Sequence, residues 1–403
     1  MALRTSCFAE NPALISHGFS TCRVVDSTPS LRPSTLSLSL GNPRPSSCRR
    51  RIRRITPAVS TNVDADLPVQ HADVKATSSG WREFARRVSG EWDGYGADFS
   101  HEGKPIELPE AVVPEAFKEW EVKVFDWQTQ CPTLAETEKP VLVYKVIKLL
   151  PTVGCEADAA TRHSIDERWV GGTNNSVSSF AYHHNGCYVA VWPINDKRSA
   201  NTSKLLELEH CLVDPGNQES RVRIVLVVQM IENGGKGSSM VKLRNVRVFR
   251  EQWYGPFRNG DQLGGCSIRE PAFASTEVLQ NEELIGTWES HEFASRFGNN
   301  HENVKELLDE TSRRLVRDEH GLVLLPKKLW CVYKESEDGK IYGEAGWLLD
   351  HDRALTSRCV LLRDGTVEAS KSTVFSLIHW LFTFLSLVAD EEMQMLVSDS
   401  IFT

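Results

Sequence analysis

Val88-Ser89-Gly90-Glu91-Trp92 recurs as Leu284-Ile285-Gly286-Thr287-Trp288, and each copy opens a series of short β-type runs. A repeat of this kind points to two copies of one domain. The two glycines, Gly90 and Gly286, stand 196 residues apart (286 less 90). In Ser79–Val88 the apolar residues Trp81, Phe84, Ala85 and Val88 fall on one helical face behind a serine able to cap, so a short helix leads in. Three glycines within Gly90–Gly96 then rule out more helix and favour a bent strand. Glycine lets that strand bend, while the tryptophan plugs one end of a curled sheet with about 200 Å² of apolar surface and offers its N–H to a carbonyl. Gly90, Trp92, Gly286 and Trp288 are therefore fold determinants first.

Working outward, Glu121–Trp127, Val141–Leu150, Ser179–Pro193, Lys204–Val213, Arg221–Ile231 and Met240–Phe249 are β-branched or aromatic runs separated by turn formers. In the last of them the apolar phase slips by one at Arg244 and Asn245, the mark of a β-bulge. The loop 232–238 reads as a hairpin. The second series predicts strands over 321–325, 329–334, 340–348, 353–362 and 366–375, with Asp338-Gly339 and Asp364-Gly365 as hairpin turns and a helix over Asn303–Arg314. The fold class is mainly β: two tandem antiparallel barrels, 80–275 and 282–375, the second of them incomplete.

Composition sets the outer bounds. The chain has 403 residues, 40% of them hydrophobic, with 46 Lys plus Arg against 54 Asp plus Glu. A net charge of −8 argues against broad electrostatic binding to nucleic acid. Residues 1–60 differ from the rest: nine arginines, no lysine and two acids, Glu10 and Asp26, in a Ser-rich stretch without a continuous apolar segment. That pattern predicts a plastid transit peptide, followed by a linker over 61–79. Taking nine cations from 46 and two acids from 54 leaves 37 against 52, a mature net charge of −15. Seven cysteines remain in that mature stretch: Cys131, Cys155, Cys187, Cys211, Cys266, Cys331 and Cys359. They are odd in number and irregularly spaced, so reduced buried thiols are expected. At the other end, 374–389 carries no formal charge but is shorter than a membrane span, which leaves 376–403 an atypical apolar tail with thylakoid contact as an open alternative.

A Gly-x-Trp at the first strand, after a short helix and before a meander, resembles the calycin group: lipocalins, fatty-acid-binding proteins and the lipocalin-like lyases that attach bilins to phycobiliproteins. With GWREFARRVSGEWDGYGADF and VRVFREQWYGPF, the tandem arrangement is similar to plastid proteins of cyanobacterial ancestry with two calycin-like domains. The resemblance implies a tryptophan packed beneath an arginine of the last strand, a place that Arg247 or Arg250 would take over Trp92. It also implies a stromal protein of photosynthetic plastids holding a small hydrophobic ligand, tetrapyrrole or fatty-acid-like, or else a bilin-lyase-like or isomerase-like enzyme. A third alternative is a filled module that binds other plastid proteins.

The residues themselves supply candidates for such a cavity. Tyr182, Tyr188, Trp192 and Trp253, with Tyr254 and Phe257, would line it, and Arg221, Arg223, Arg244 or Arg247 would meet ligand carboxylates. An eight-stranded barrel is only just wide enough for one small ligand, so a filled core with outward arginines is equally open. No catalytic residue or certain cofactor is indicated. The His-Glu pairs at 101, 291 and 301 lack the second histidine of a zinc protease, His183 and Cys187 make only two ligands, and Gly234–Ser238 lacks the hydroxyl residue of a phosphate loop. No metal site is predicted.

Overall fold

A computed structural model describes residues 78–153, 161–194, 203–232, 239–261, 273–298, 302–310 and 312–377. The expected transit peptide, the expected linker as far as residue 77, residues 233–238, Cys155, Cys266 and the tail beyond 377 lie outside them. The fold is mainly β. Ser78 caps α1 (Ser79–Val88) by accepting from the Trp81 amide at 3.2 Å, and the helix buries the expected face of Trp81, Phe84, Ala85 and Val88. A five-residue α2 (Glu115–Glu119) lies between the first two strands.

The first series forms β1 (Glu91–Ser100), β2 (Asp126–Gln130), β3 (Thr133–Ala135), β4 (Leu142–Leu149), β5 (Arg162–Val170), β6 (Ser179–Tyr182), β7 (Tyr188–Ile194), β8 (Ser203–Asp214), β9 (Asn217–Glu232) and β10 (Ser239–Gly255). The second forms β11 (Gly286–Arg296), β12 (Val304–Glu306), β13 (Leu308–Asp309), β14 (Arg313–Arg317), β15 (Leu322–Leu325), β16 (Leu329–Glu335), β17 (Ile341–Leu348), β18 (Arg353–Leu361) and β19 (Val367–Leu377). Among the described residues the first sheet runs β12-β6-β7-β8-β9-β10-β1-β2-β4 and ends on β3 and β5. The second runs β13-β11-β19-β18-β17-β16-β15, with β14 also on β11. Neither strand order returns to its start, so the first sheet is a curled half-barrel rather than a closed one.

In both sheets the strand bearing Gly-x-Trp pairs antiparallel with the last strand of its series: β1 with β10, and β11 with β19. The register of β10 against β9 shifts between Leu243 and Asn245, where the sequence places the bulge. Gly339 and Gly365 take positive φ at the two predicted hairpin turns.

Three expectations are corrected: the run Glu121–Trp127 is strand only from Asp126, where β2 begins. Asn303–Arg314 is not a helix: its good helix formers are overridden by tertiary pairing, and β12 joins the first sheet parallel to β6 while β13 and β14 lie against β11. The run Ser179–Pro193 is two strands, because the chain turns at His183–Cys187, with Gly186 at φ 98°.

The sheets pack against each other through apolar faces. On β8, Leu206, Leu208 and Leu212 face one way, with Ile224, Leu226 and Val228 of β9. They join Leu329, Cys331, Ile341, Ala345 and Trp347 of the second sheet in one buried cluster. Each fully buried leucine in that seam contributes about 1.5–3 kcal/mol. A polar link crosses the seam between His210 Nδ1 and Ser357 Oγ at 3.0 Å. Because side chains alternate along a strand, the partners of those leucines, Glu207 and Glu209, point to the opposite, concave face. The charged groups are therefore on the inside of the curl.

Candidate functional site

Gly90 and Gly286 both have φ 146°, a conformation that side chains other than hydrogen rarely take. The following indole then folds back: Trp92 Nε1 donates to Val88 O at 2.9 Å and Trp288 Nε1 to Leu284 O at 2.8 Å. Both tryptophans are about 1% exposed. The cation over Trp92 is Arg221, its guanidinium 4.1 Å from the ring centroid, and not Arg247 or Arg250. Arg221 comes from β9, the neighbour of the last strand. Arg250 sits opposite Tyr95 instead.

From this base a chain of alternating charges climbs the concave face. Arg221 Nε donates to Glu251 at 2.6 Å; Arg223 donates to Glu251 at 3.0 and 2.6 Å and to Glu209 at 2.9 Å. Glu209 also meets Arg168 at 3.5 Å. Arg168 and Arg247 both grip Glu207, at 2.5 and 2.6 Å. Asp98 ends the series, 3.5 Å from Arg247 and 3.8 Å from Lys148. The ammonium of Lys148 lies 5.1 Å from the centroid of Trp127.

Glu209 is the hub. It receives the Tyr144 hydroxyl at 2.5 Å, the Tyr188 hydroxyl at 2.9 Å and the Trp192 indole N–H at 2.8 Å, besides its two arginines. Burial alone would raise its pKa, but Arg223 and Arg168 outweigh that and hold it at about 2. A carboxylate so fully donated to stays ionised near neutral pH and has no proton to give. Lys148 is instead pushed toward its neutral form: burial lowers its pKa against the pull of Asp98.

Beside the hub opens a cavity of about 500 Å³. Phe249, Val225, Val146 and Ile106 give it an apolar part, while Lys148, Arg168, Arg223 and Arg247 line it together with the carboxylates they pair with, Asp98, Asp166 and Glu209. Of the sequence candidates, Arg223 and Arg247 line this space, and Tyr188 and Trp192 stand behind it holding Glu209. Arg221 is part of the base. Arg244 is exposed at the bulge, and Tyr182 belongs to the helix contact, its ring 4.9 Å from Trp81 and 5.1 Å from Phe84. Trp253 is half-buried beside Gly90 and donates to Ser89 O at 3.3 Å.

Sequence reasoning missed Lys148, Arg168, Glu207, Glu209 and Glu251. The available signal was Glu207-x-Glu209 and Arg221-x-Arg223 in one alternation phase on adjacent strands, a pattern identical in form to a solvated face. His183 lies in the turn and packs against Phe293 with tilted rings, centroids 4.3 Å apart. Among the described residues no three His, Cys, Asp or Glu side chains are grouped as a metal ion requires. Five of the cysteines, Cys131, Cys187, Cys211, Cys331 and Cys359, are buried and unbridged.

The second sheet carries a shorter version. Glu344 is clamped by Arg317 at 2.6 Å and by Arg358 at 2.5 Å, and those arginines hold it at about 2 despite burial. Arg317 also lies 5.2 Å from the centroid of Trp330. The space beside this clamp is only about 40 Å³.

No family model and no curated protein matches the chain. Among solved structures it is similar to a protein of unknown function from the DUF3598 family of Nostoc punctiforme, with 13% identity and a TM-score of 0.44, over 75% of this chain and 100% of that one.

Proposed function

We propose that this is a plastid-located, noncatalytic binding or assembly protein that holds one small ligand bearing acidic groups against the concave face of the first sheet. The observation that carries the reading is the 500 Å³ cavity with an apolar side and a wall of cations already positioned by buried carboxylates. That volume falls within the range of about 300–1,000 Å³ typical of small-molecule sites. A carboxylate hub held at about 2 and saturated with donors supports a carrier over the lyase-like or isomerase-like enzyme, because general acid–base work needs a group that exchanges protons near the working pH. Between the ligands that the calycin resemblance implies, a tetrapyrrole with its propionates suits this wall better than a fatty acid. A long alkyl tail would desolvate Arg168, Lys148 and Asp166 with no compensating bond. The plastid address rests on the arginine-rich, acid-poor first 60 residues.

Titrating the mature protein with biliverdin, haem and a fluorescent fatty acid tests the reading. The expected result is a saturable one-to-one spectral shift with a tetrapyrrole, lost in Arg247→Met and weak for the fatty acid. No saturable shift with any of the three would defeat the carrier reading and leave the interaction module.

A further inference from the structure

We infer that Asp98 and Asp166 are stand-ins for two acidic groups of the ligand, so that the cavity selects a flat molecule with two anionic ends and these aspartates tune its affinity. This deepens, and rests on, the reading of the cavity as a binding site.

The carboxylates around the cavity fall into two tiers. The inner ones, Glu207, Glu209 and Glu251, have side chains between 0% and 4% exposed and each is bound by two arginines. The outer ones are different: the side chain of Asp166 is 59% exposed and that of Asp98 28% exposed. Asp166 meets Arg168 at 2.8 Å from the solvent side, and Asp98 reaches its two cations only at 3.5 and 3.8 Å.

The pair of Asp166 opens to solvent and that of Asp98, though half-buried, is long, so each is worth about fivefold in an equilibrium constant and exchanging it for a ligand anion costs little. The inner carboxylates cannot exchange, because releasing them would leave two arginines buried with no counter-charge. Without any outer anion, Lys148, Arg168 and Arg247 would share Glu207 and one contact to Glu209. A ligand therefore has to bring negative charge to both places that Asp98 and Asp166 now occupy, and both aspartates have solvent to turn into. Phe249, Val225 and Val146 line the same cavity and provide an apolar surface for a flat ring system.

The test uses the full chain with naphthalene-2,6-dicarboxylate, 2-naphthoate and the dimethyl ester of the diacid, titrated by calorimetry. The variants are Asp98→Asn, Asp166→Asn, the double variant and Lys148→Met. Each Asn substitution is expected to tighten diacid binding about fivefold and the double variant about twenty-five-fold, with an unfolding midpoint within a few degrees of the natural chain's reporting an intact fold, while the uncharged ester binds every variant more weakly than the diacid does. Lys148→Met is expected to weaken diacid binding. Asn variants that bind the diacid no more tightly than the natural chain would overturn the inference while leaving the cavity reading in place. Binding of no probe by any variant would overturn both.

Discussion

The two sheets begin from the same base and end with different interiors. Each starts at a glycine with φ 146° followed by a tryptophan that folds back onto the carbonyl four residues before it. Above Trp92, strands β4 and β5 bring Lys148 and Arg168 around the far side, and the concave face stays open over about 500 Å³. Above Trp288 the Trp330 indole lies across the bare backbone of Gly346, with Val332, Leu348 and Ala354 beside it, and about 40 Å³ remains. The base motif therefore specifies how a sheet curls and says nothing about whether the curl is hollow. Filling is decided by the opposite wall.

The largest expected effect tests the electrostatic half of this contrast. Arg223 is the single link between Glu209 and Glu251, so Arg223→Met leaves two buried carboxylates each short of a partner, and urea unfolding should report a loss of about 3–5 kcal/mol. Arg317→Met removes one of two arginines on Glu344, and Arg358 remains. Its loss should be smaller, about 1–3 kcal/mol. Equal losses would mean that the two clamps are energetically the same and that the length of the charge chain does not matter.

Next comes the steric half. A β-carbon at residue 346 would collide with the Trp330 ring, so Gly346→Ala should cost about 1–3 kcal/mol through overpacking and displace the indole. Tryptophan emission, read in a background where Trp330→Phe serves as control, should shift with the substitution. Unchanged emission and stability would show that something other than Trp330 fills the second sheet.

What was legible in advance divides along the same line. Gly-x-Trp, most of the strand runs, the bulge at Arg244 and Asn245 and the hairpin glycines are local signals, set by backbone sterics and alternation, and they reappear in the structure, whereas β2 begins only at Asp126 and β5 (Arg162–Val170) carried no such signal. The charged interior is not local. Leu206-Glu207-Leu208-Glu209 has the same alternation whether its glutamates meet water or meet Arg223 and Arg168 from other strands, and only the packing of Leu206 and Leu208 against the second sheet decides which face is inside. The helix expected over Asn303–Arg314 failed for the related reason that a partner strand, β6, outbid its intrinsic preference. Arg221 was found as a candidate cation but assigned to ligand rather than to Trp92, because the sequence does not show which strand crosses above the base.

The smallest expected effect is a cancellation, and it too separates the two bases. Asp93 follows Trp92 and is buried, whereas Glu289 follows Trp288 and is exposed. Burial, with Glu91 and Glu251 nearby, raises Asp93 to about 6, and burial raises Asp126 to a similar value. In the folded state these acids bind protons that the unfolded chain releases between about pH 4 and 6, so they favour folding as pH falls through that window. His210 acts in the opposite sense. Buried in the seam with Ser357 on Nδ1, it is lowered to about 4 by burial, against the pull of Glu344 and Glu209. The unfolded histidine takes up a proton below about pH 6.5 that the folded one refuses until about pH 4, so its contribution to stability is lost as pH falls. The natural chain should therefore show a shallow stability profile between pH 4 and 6, within about 1–2 kcal/mol. Asp93→Asn should stabilise the protein at pH 7 and leave a profile that declines toward acid. His210→Gln should give one that rises toward acid. Denaturation midpoints of the three proteins at pH 4, 5, 6 and 7 check the signs, and parallel profiles would remove Asp93 and His210 as the opposing groups.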